Sequence, residues 1–260
     1  MANFVLVHGA WYGSWCWKRV RSALEVAGHE VFTPTLTGVG ERSHLLSREV
    51  NLETHIHDVL NLIKWEELTD IVLCGHSYGG CVVSGVADRV PDRIRSLVYL
   101  DAFVPEDGET QLQHLPQALA DRILEGAKTV GEGWKVPPIP AAVFNVNAAD
   151  REWVNRQTTV HPLAAMAEPL HLTGGRQKIA NISFILATGW DGPSPFPPFY
   201  EKATARRWTT RTVPCGHDVM LDLPGELTTL LLEAAGVSEA AVEGARLGSS
   251  RSQVFEEGRH

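Results

Sequence analysis

The stretch D-I-V-L-C-G-H-S-Y-G-G-C, Asp70 to Cys81, decides how the rest of the chain is read. Ile71 to Cys74 are four apolar residues in a row, too few for a helix of their own and suited to a buried strand. Gly75, Ser77, Gly79 and Gly80 follow, and V-V-S-G-V-A-D-R-V after them is compatible with a helix. These pieces predict a strand, a sharp turn and a helix. A serine at the apex of such a turn sits in strained backbone with little room on either side, so glycines at 75 and 79 let strand and helix backbones approach. Ser77 is thereby lifted clear of the sheet, where a histidine can reach its hydroxyl. With a strand legible before it and a helix after it, the G-x-S-x-G spacing marks Ser77 as a nucleophile rather than a plain turn serine. Ser84, inside the helix, reads as a packing residue.

On either side the pattern alternates. Phe4 to Val7 predicts a first strand, broken by His8-Gly9-Ala10-Trp11; a helix opening at Ser14 lines Trp17, Val20, Leu24 and Val26 along one face and closes at Gly28. Glu30 to Phe32 predicts a second strand, and Asn51 to Glu67 a helix with Leu52, Ile56, Leu60 and Ile63 at helical spacing. After the helix Tyr78 to Val90, Ile94 to Leu100 is another strand. Strands alternating with helices imply a mostly parallel sheet of about six strands with helices on both faces, whose sites form beyond the carboxyl ends of the strands. From Phe103 to about Gln177 the alternation stops. Seven prolines, the aromatics Trp134, Phe144 and Trp153 and one fair helix around Leu115 to Ala127 suggest a cap, 103–177, inserted over the sheet edge. The alternation resumes with Ile182 to Ala187, a short helix Pro197 to Thr204, a strand Trp208 to Val213 and a closing helix Pro224 to Ala235. The expected division is therefore a core of 1–102 and 178–236, the cap, and a partly helical or disordered tail, 237–260, without a catalytic role.

The chain has 260 residues, enough for one sizeable core, and its 31 acidic against 23 basic residues give a net charge of −8. That balance argues against nucleic acid or an anionic membrane as a partner. No apolar run approaches the roughly 18 residues of a membrane span, and M-A-N-F-V-L-V-H-G enters a strand without a basic leader, so a cytoplasmic location is expected. Cys16, Cys74, Cys81 and Cys215 are scattered with no C-x-x-C pair, which suits reduced thiols better than a disulfide frame or a zinc site. His55 and His57 lie two apart on a helix, on opposite sides of its axis, and cannot share one ion. No metal and no cofactor is expected.

A serine hydroxyl needs a base to take its proton. His217, in P-C-G-H-D just past a strand, lies at the same carboxyl edge as Ser77. The base in turn needs an acid to hold its tautomer. Asp191, in A-T-G-W-D after the strand Ile182 to Ala187, is the favoured candidate, and Asp101, after the strand ending at Leu100, is the rival. The order Ser77, Asp191, His217 is the one expected of an alpha/beta hydrolase. For the oxyanion, the N–H of Tyr78 comes free at the helix start, and the turn at Gly9 offers the N–H of Ala10.

These residues carry a resemblance. F-V-L-V-H-G-A-W-Y-G-S-W-C-W, L-E-V-A-G-H-E-V, G-H-S-Y-G-G, L-D-A-F-V-P and P-C-G-H-D-V-M-L-D-L-P are similar to the alpha/beta hydrolases grouped around plant hydroxynitrile lyases, salicylate methylesterases and small bacterial esterases. The resemblance runs from about Asn3 to Ala235, thins in the cap and ends before the tail. It implies that Ser77 is the nucleophile, His217 the base, Asp191 the acid, and Ala10 and Tyr78 the oxyanion donors. Where lyase members carry a threonine, a glutamate and a lysine, this chain has Gly9, His76 and Asp218, and an aspartate in place of the cation that holds departing cyanide favours the esterase branch. The expected activity is hydrolysis of a neutral, small to medium carboxylic ester with an apolar or aromatic part, contacted by Trp11, Tyr78, Phe103, Trp134, Trp153 and Trp190, with no cap cation facing the site. Lactone, amide or carbon–carbon bond cleavage on the same machinery, a lyase, and a non-catalytic small-molecule binder are the alternatives. Related esterases suggest a homodimer.

Overall fold

The computed structural model describes residues 1–237. Its first half runs β1 (Asn3–Val7), α1 (Lys18–Val26), β2 (Glu30–Phe32), α2 (Leu52–Trp65), β3 (Ile71–Ser77), α3 (Gly79–Arg89) and β4 (Ile94–Ala102). After β4 come α4 (Gln117–Thr129), β5 (Lys135–Val136), α5 (Arg151–Gln157), β6 (His161–Pro162) and α6 (Leu163–Ala167). The chain then returns through β7 (Asn181–Ala187), α7 (Pro197–Ala205), β8 (Thr209–Val213), α8 (Val219–Asp222) and α9 (Pro224–Ala234). Six strands form one sheet in the order β2-β1-β3-β4-β7-β8, and every pairing is parallel. This is an alpha/beta hydrolase fold. The tail expected beyond residue 237 lies outside the described residues.

Strand β3 sits inside the sheet with all seven residues buried, as a parallel strand covered on both faces should. The helix after it is buried from Gly79 to Asp88, so α3 is packed on nearly every side. Close approach is what the glycines permit. A Cβ on Gly75 would lie 2.6 Å from the Gly79 carbonyl oxygen and from Val83 Cγ2, and one on Gly79 would lie 2.7 Å from the carbonyl oxygens of Val7 and His8. Helix α2 starts on a reciprocal cap, Asn51 accepting from the Thr54 N–H while the Thr54 hydroxyl faces the Asn51 N–H, and it buries Leu52, Ile56 and Ile63.

Two local expectations change. The helix expected from Ser14 begins as a single 3-10 turn, Ser14–Trp17, before α1 proper, and its apolar face keeps Trp17, Val20 and Leu24 but leaves Val26 exposed. Between β4 and β7, more is ordered than one helix: β5 and β6 pair antiparallel, and α5 and α6 are short helices. Elements of two to seven residues do not complete enough of a period to register in a sequence pattern. No helix among the described residues is long and apolar enough to cross a membrane, and all four cysteines are free.

Candidate active site

Ser77 is the last residue of β3, and its backbone lies in the left-handed region at φ 55°, a conformation uncommon for non-glycine residues. The turn after β1 presses on it from one side. A Cβ on Gly9 would stand 2.9 Å from Ser77 Cβ and 3.4 Å from its Oγ, which is why glycine occupies that position. The backbone N–H groups of Ala10 and Tyr78, flanking this spot, donate to no acceptor among the described residues. Two unpaired donors at buried positions are the arrangement an oxyanion requires.

His217 follows β8 and is fixed at both ends of its own peptide unit. Its N–H donates to the Phe144 carbonyl at 2.9 Å, and its carbonyl accepts from His76 Nε2 at 3.1 Å. The Nδ1–H of the ring donates to Asp101 Oδ2 at 2.7 Å, which leaves Nε2 as the nitrogen with a free lone pair. Both His217 and Ser77 line the same cavity. Around the imidazole, Phe196 stacks at 5.0 Å and 10°, with Trp190 at 5.1 Å, Phe144 at 5.2 Å and His76 at 4.3 Å between ring centroids. Burial among these rings pushes the His217 pKa down, so the neutral base is its resting form.

The acid is where the sequence expectation has to be corrected. Asp191 is exposed on the loop after β7 and its carboxylate pairs with the Asn145 amide, away from His217. The group on His217 is Asp101. Its placement comes from an irregularity at the end of β4: His76 pairs with Leu100 but Ser77 pairs with Ala102, so Asp101 is an extra residue bulged out of the ladder, at φ 41°. A bulge of this kind turns a side chain away from the direction strand alternation would give it. The carboxylate also accepts from the Ala187 N–H at 3.1 Å and Trp190 Nε1–H at 3.2 Å. Burial pushes the Asp101 pKa up and these two donors pull against it. Both orders, Ser77-Asp191-His217 and Ser77-Asp101-His217, satisfy a serine–acid–histidine sequence, so chain order could not choose between them.

Asp218, next along, is buried beneath the site. It accepts the Tyr12 hydroxyl at 2.7 Å, and burial pushes its pKa up to about 7. Its other oxygen has no partner, and His76 Nε2 is 4.0 Å from it. The His55 ring bridges the Tyr78 hydroxyl and the Thr37 carbonyl, while His57 is exposed.

The cavity over Ser77 has a volume of about 420 Å³. The loop after β1 gives it Trp11, the segment just past β4 Phe103, the approach to α4 and the helix itself Leu115, Leu119 and Ile123, and the loop after β7 Trp190, Pro195 and Phe196. Trp11, Phe103 and Trp190 therefore face the site. Trp134 and Trp153 do not: Trp134 is covered by Arg48 and Lys135 at 5.2 and 4.9 Å from its ring, and Trp153 packs edge-on against Trp15. Tyr78 is buried behind the site with its hydroxyl on His55. Two polar wall residues went unanticipated, Gln111 and Arg122. Arg122 shares a helical face with Ala118, Leu119 and Ile123, a spacing the sequence does contain, and it corrects the expectation that no cap cation reaches the cavity. Gln111 precedes a short 3-10 turn and has no periodic signal.

With this geometry the chain matches the model of the alpha/beta hydrolase family over residues 4–229, and it belongs to that family. It is 50% identical over 242 residues, 89% of this chain and 98% of the relative, to a carbendazim hydrolyzing esterase of Nocardioides sp. (strain SG-4G). An alpha-hydroxynitrile lyase of Arabidopsis thaliana is 30% identical over 131 residues, half of either chain, and Methylesterase 2 of the same plant is 31% identical over 134 residues, 51% of this chain and 48% of that one. Among solved structures, an extracellular alpha/beta-hydrolase from a Paenibacillus species, described as sharing structural and functional homology with tobacco salicylic acid binding protein 2, superposes with a TM-score of 0.79 at 26% identity, over 90% of this chain and 99% of that one. The resemblance read from the sequence is thus the family found, and ester hydrolysis of the carboxylesterase type is the activity these relatives support.

Proposed function

We propose that this chain is a cofactor-independent serine carboxylesterase in which Ser77, His217 and Asp101 form the triad and the Ala10 and Tyr78 N–H groups form the oxyanion hole. The observation that carries the reading is the 2.7 Å bond from His217 Nδ1 to Asp101, because it fixes the tautomer whose Nε2 can take the serine proton. His217 Nε2 removes the Ser77 Oγ proton as the oxygen attacks the ester carbonyl, and the resulting oxyanion is met by the two backbone donors. Collapse breaks the bond to the alcohol, which leaves with the proton from His217 and an acyl group on Ser77. Water then gives a proton to His217 Nε2 and attacks the acyl carbon; the acid departs as Ser77 recovers its proton.

The wall residues favour an ester with an apolar or aryl part of small to medium size, a cavity of this volume enclosing little more. The segment 103–177 acts as a cap, supplying Phe103, Leu115, Leu119, Ile123, Ile139 and Phe144 to the site, and the core is 1–102 with 178–236. A lyase reading is disfavoured by Asp218, a carboxyl buried on Tyr12 where a cation would be needed. Four free thiols accord with a cytoplasmic location, and related esterases suggest a homodimer.

Short-chain p-nitrophenyl esters and carbendazim, the compound named for the relative at 50% identity, are the substrates to try first. Hydrolysis that disappears in Ser77→Ala, with a fluorophosphonate adduct on Ser77, is the expected result. Equal rates for wild type and Ser77→Ala, or no adduct, would leave a binder rather than an esterase.

A further inference from the structure

Resting on the esterase reading, we propose that His161 is a positioning residue that holds both oxyanion donors in line from the segment between β4 and β7. Its side chain, on β6, is fully buried and lies against the residues on which the two donors depend. Nδ1 accepts the Trp11 N–H at 3.4 Å, one residue beyond the Ala10 donor. The same ring packs edge-on against Tyr78, 4.8 Å between centroids at 73°. Tyr78 is held again at its hydroxyl, which meets His55 Nδ1 at 2.8 Å. Burial pushes the His161 pKa well down, so the ring is neutral and Nδ1 is free to accept.

Trp11 is the link to the first donor. It lies in left-handed backbone at φ 68°, a conformation that persists where its surroundings over-determine it. Here they do so at three points. Besides the His161 contact, the Thr159 N–H donates to the Trp11 carbonyl at 3.0 Å and Trp11 Nε1–H donates to the Val136 carbonyl at 3.1 Å. Val136 and His161 face each other across β5 and β6, so two of the three grips come from one pair of strands. The turn they anchor is the one that presses on Ser77, where a methyl on Gly9 would stand 2.9 Å from Ser77 Cβ, and a displacement at Trp11 is passed along it to the Ala10 N–H. The histidine brings no net gain in paired polar groups. With Nδ1 accepting, the proton sits on Nε2, a buried N–H without a partner among the described residues, and leucine would merely exchange that orphan for the Trp11 N–H. What histidine adds is direction, and an oxyanion is stabilised by donors aimed before it forms.

The test compares His161→Leu, which keeps bulk and removes the acceptor, with His161→Asn, whose Oδ1 stands close to the place of Nδ1. With p-nitrophenyl butyrate, kcat should fall about tenfold in His161→Leu, part of the roughly 10²–10³-fold that losing a whole donor costs, with KM within about twofold of wild type. His161→Asn should recover most of that loss. An alkyl trifluoromethyl ketone reports on the oxyanion directly: Ser77 Oγ bonds to its carbonyl carbon, the serine proton passes to His217 Nε2, and the carbonyl oxygen becomes the anion that faces the donors. Its Ki should rise about tenfold in His161→Leu, while that of the matched methyl ketone, which forms no such adduct, should hold. If His161→Leu does not fold, His161→Gln, with its acceptor one carbon further out, replaces it under the same expectations. A kcat within about twofold of wild type in the variant without the acceptor, an equal loss in His161→Asn, or parallel weakening of both ketones overturns the proposal. Any of these alongside Ser77-dependent turnover sinks only the role of His161, whereas no Ser77-dependent turnover of any ester sinks the reading beneath it.

Discussion

The turn after β3 and the loop after β7 both leave the carboxyl edge of the sheet, and the sequence places a triad candidate on each. Ser77 ends its strand; Asp191 comes four residues after β7 ends at Ala187. The first is aimed by its own strand and by three glycines at 9, 75 and 79 that bring backbones within van der Waals contact around it. The second is held by Asn145 at its carboxylate and its N–H and turns outward, away from His217. Asp101 behaves like Ser77: a strand-end residue in left-handed backbone, on the adjacent strand. The side chains proposed as catalytic are those that strand ends orient, and a loop candidate at the right edge is not equivalent to one fixed at the end of a paired strand.

The sharpest way to break that comparison is to exchange the carboxylates' standing. Asp101→Asn should lower kcat by about 10⁴-fold, because the amide stabilises the wrong imidazole tautomer, whereas Asp191→Asn should leave ester hydrolysis within about twofold. Steady-state kinetics on a p-nitrophenyl ester decides it, and the reverse pattern would restore Asp191. Next in size is the packing around the elbow. Gly75→Ala puts a methyl 2.6 Å from backbone and from Val83, and an overpacked core site of this kind costs about 1–3 kcal/mol or more, read as a lower denaturant midpoint. Gly9→Ala meets Ser77 and the His76 ring at 2.9 and 3.1 Å, so its loss should appear in kcat at a smaller cost in stability.

Proton linkage sharpens the comparison from another side. His217 is buried with its pKa lowered, so the base form persists below the usual histidine value of 6.5 and kcat/KM should stay level from pH 8 to below pH 6. Stability should not. The pKa values of His8 and His55 are lowered to about 4 by burial, and those of His76, His161 and His217 are lowered by the same cause. Between about 6.5 and 4 the unfolded chain takes up protons that the folded one refuses, and each such proton removes about 1.4 kcal/mol per pH unit. The raised carboxyls Asp101 and Asp218 act in the opposite sense and offset part of this. A Tm that falls from pH 7 to pH 5 while kcat/KM holds is the expected pairing. The smallest effect concerns the tryptophans: Trp190→Ala should raise KM for aryl esters several-fold by opening the wall beside His217, and Trp134→Ala should not alter KM, since its ring lies under Arg48 and Lys135.

Much of this was legible before any coordinates. G-H-S-Y-G-G after a run of apolar residues identified the elbow because both the glycine spacing and the flanking periods are local properties, each confined to about ten residues. H-G-A-W marked the loop proposed as the second oxyanion donor for the same reason. Asp101 was seen only as a rival, because a bulge depends on how β4 pairs with β3 and leaves no pattern along one strand. The tryptophans failed differently. Aromatic rings at 134 and 153 signal burial, and they are half-buried, against Lys135 and Trp15 rather than in the cavity.

Taken alone, the amino-acid sequence determined the parallel layering and the strand–turn–helix that carries Ser77, and it marked out His217 and the two loops proposed as oxyanion donors, since strand and helix periods and glycine-limited turns are written in neighbouring residues. Tertiary structure alone decided which carboxylate meets His217 and what forms the cavity wall. Those depend on where a strand slips by one residue and on which faces of the inserted segment come to rest over the edge, distances set by packing between parts of the chain that share no local pattern.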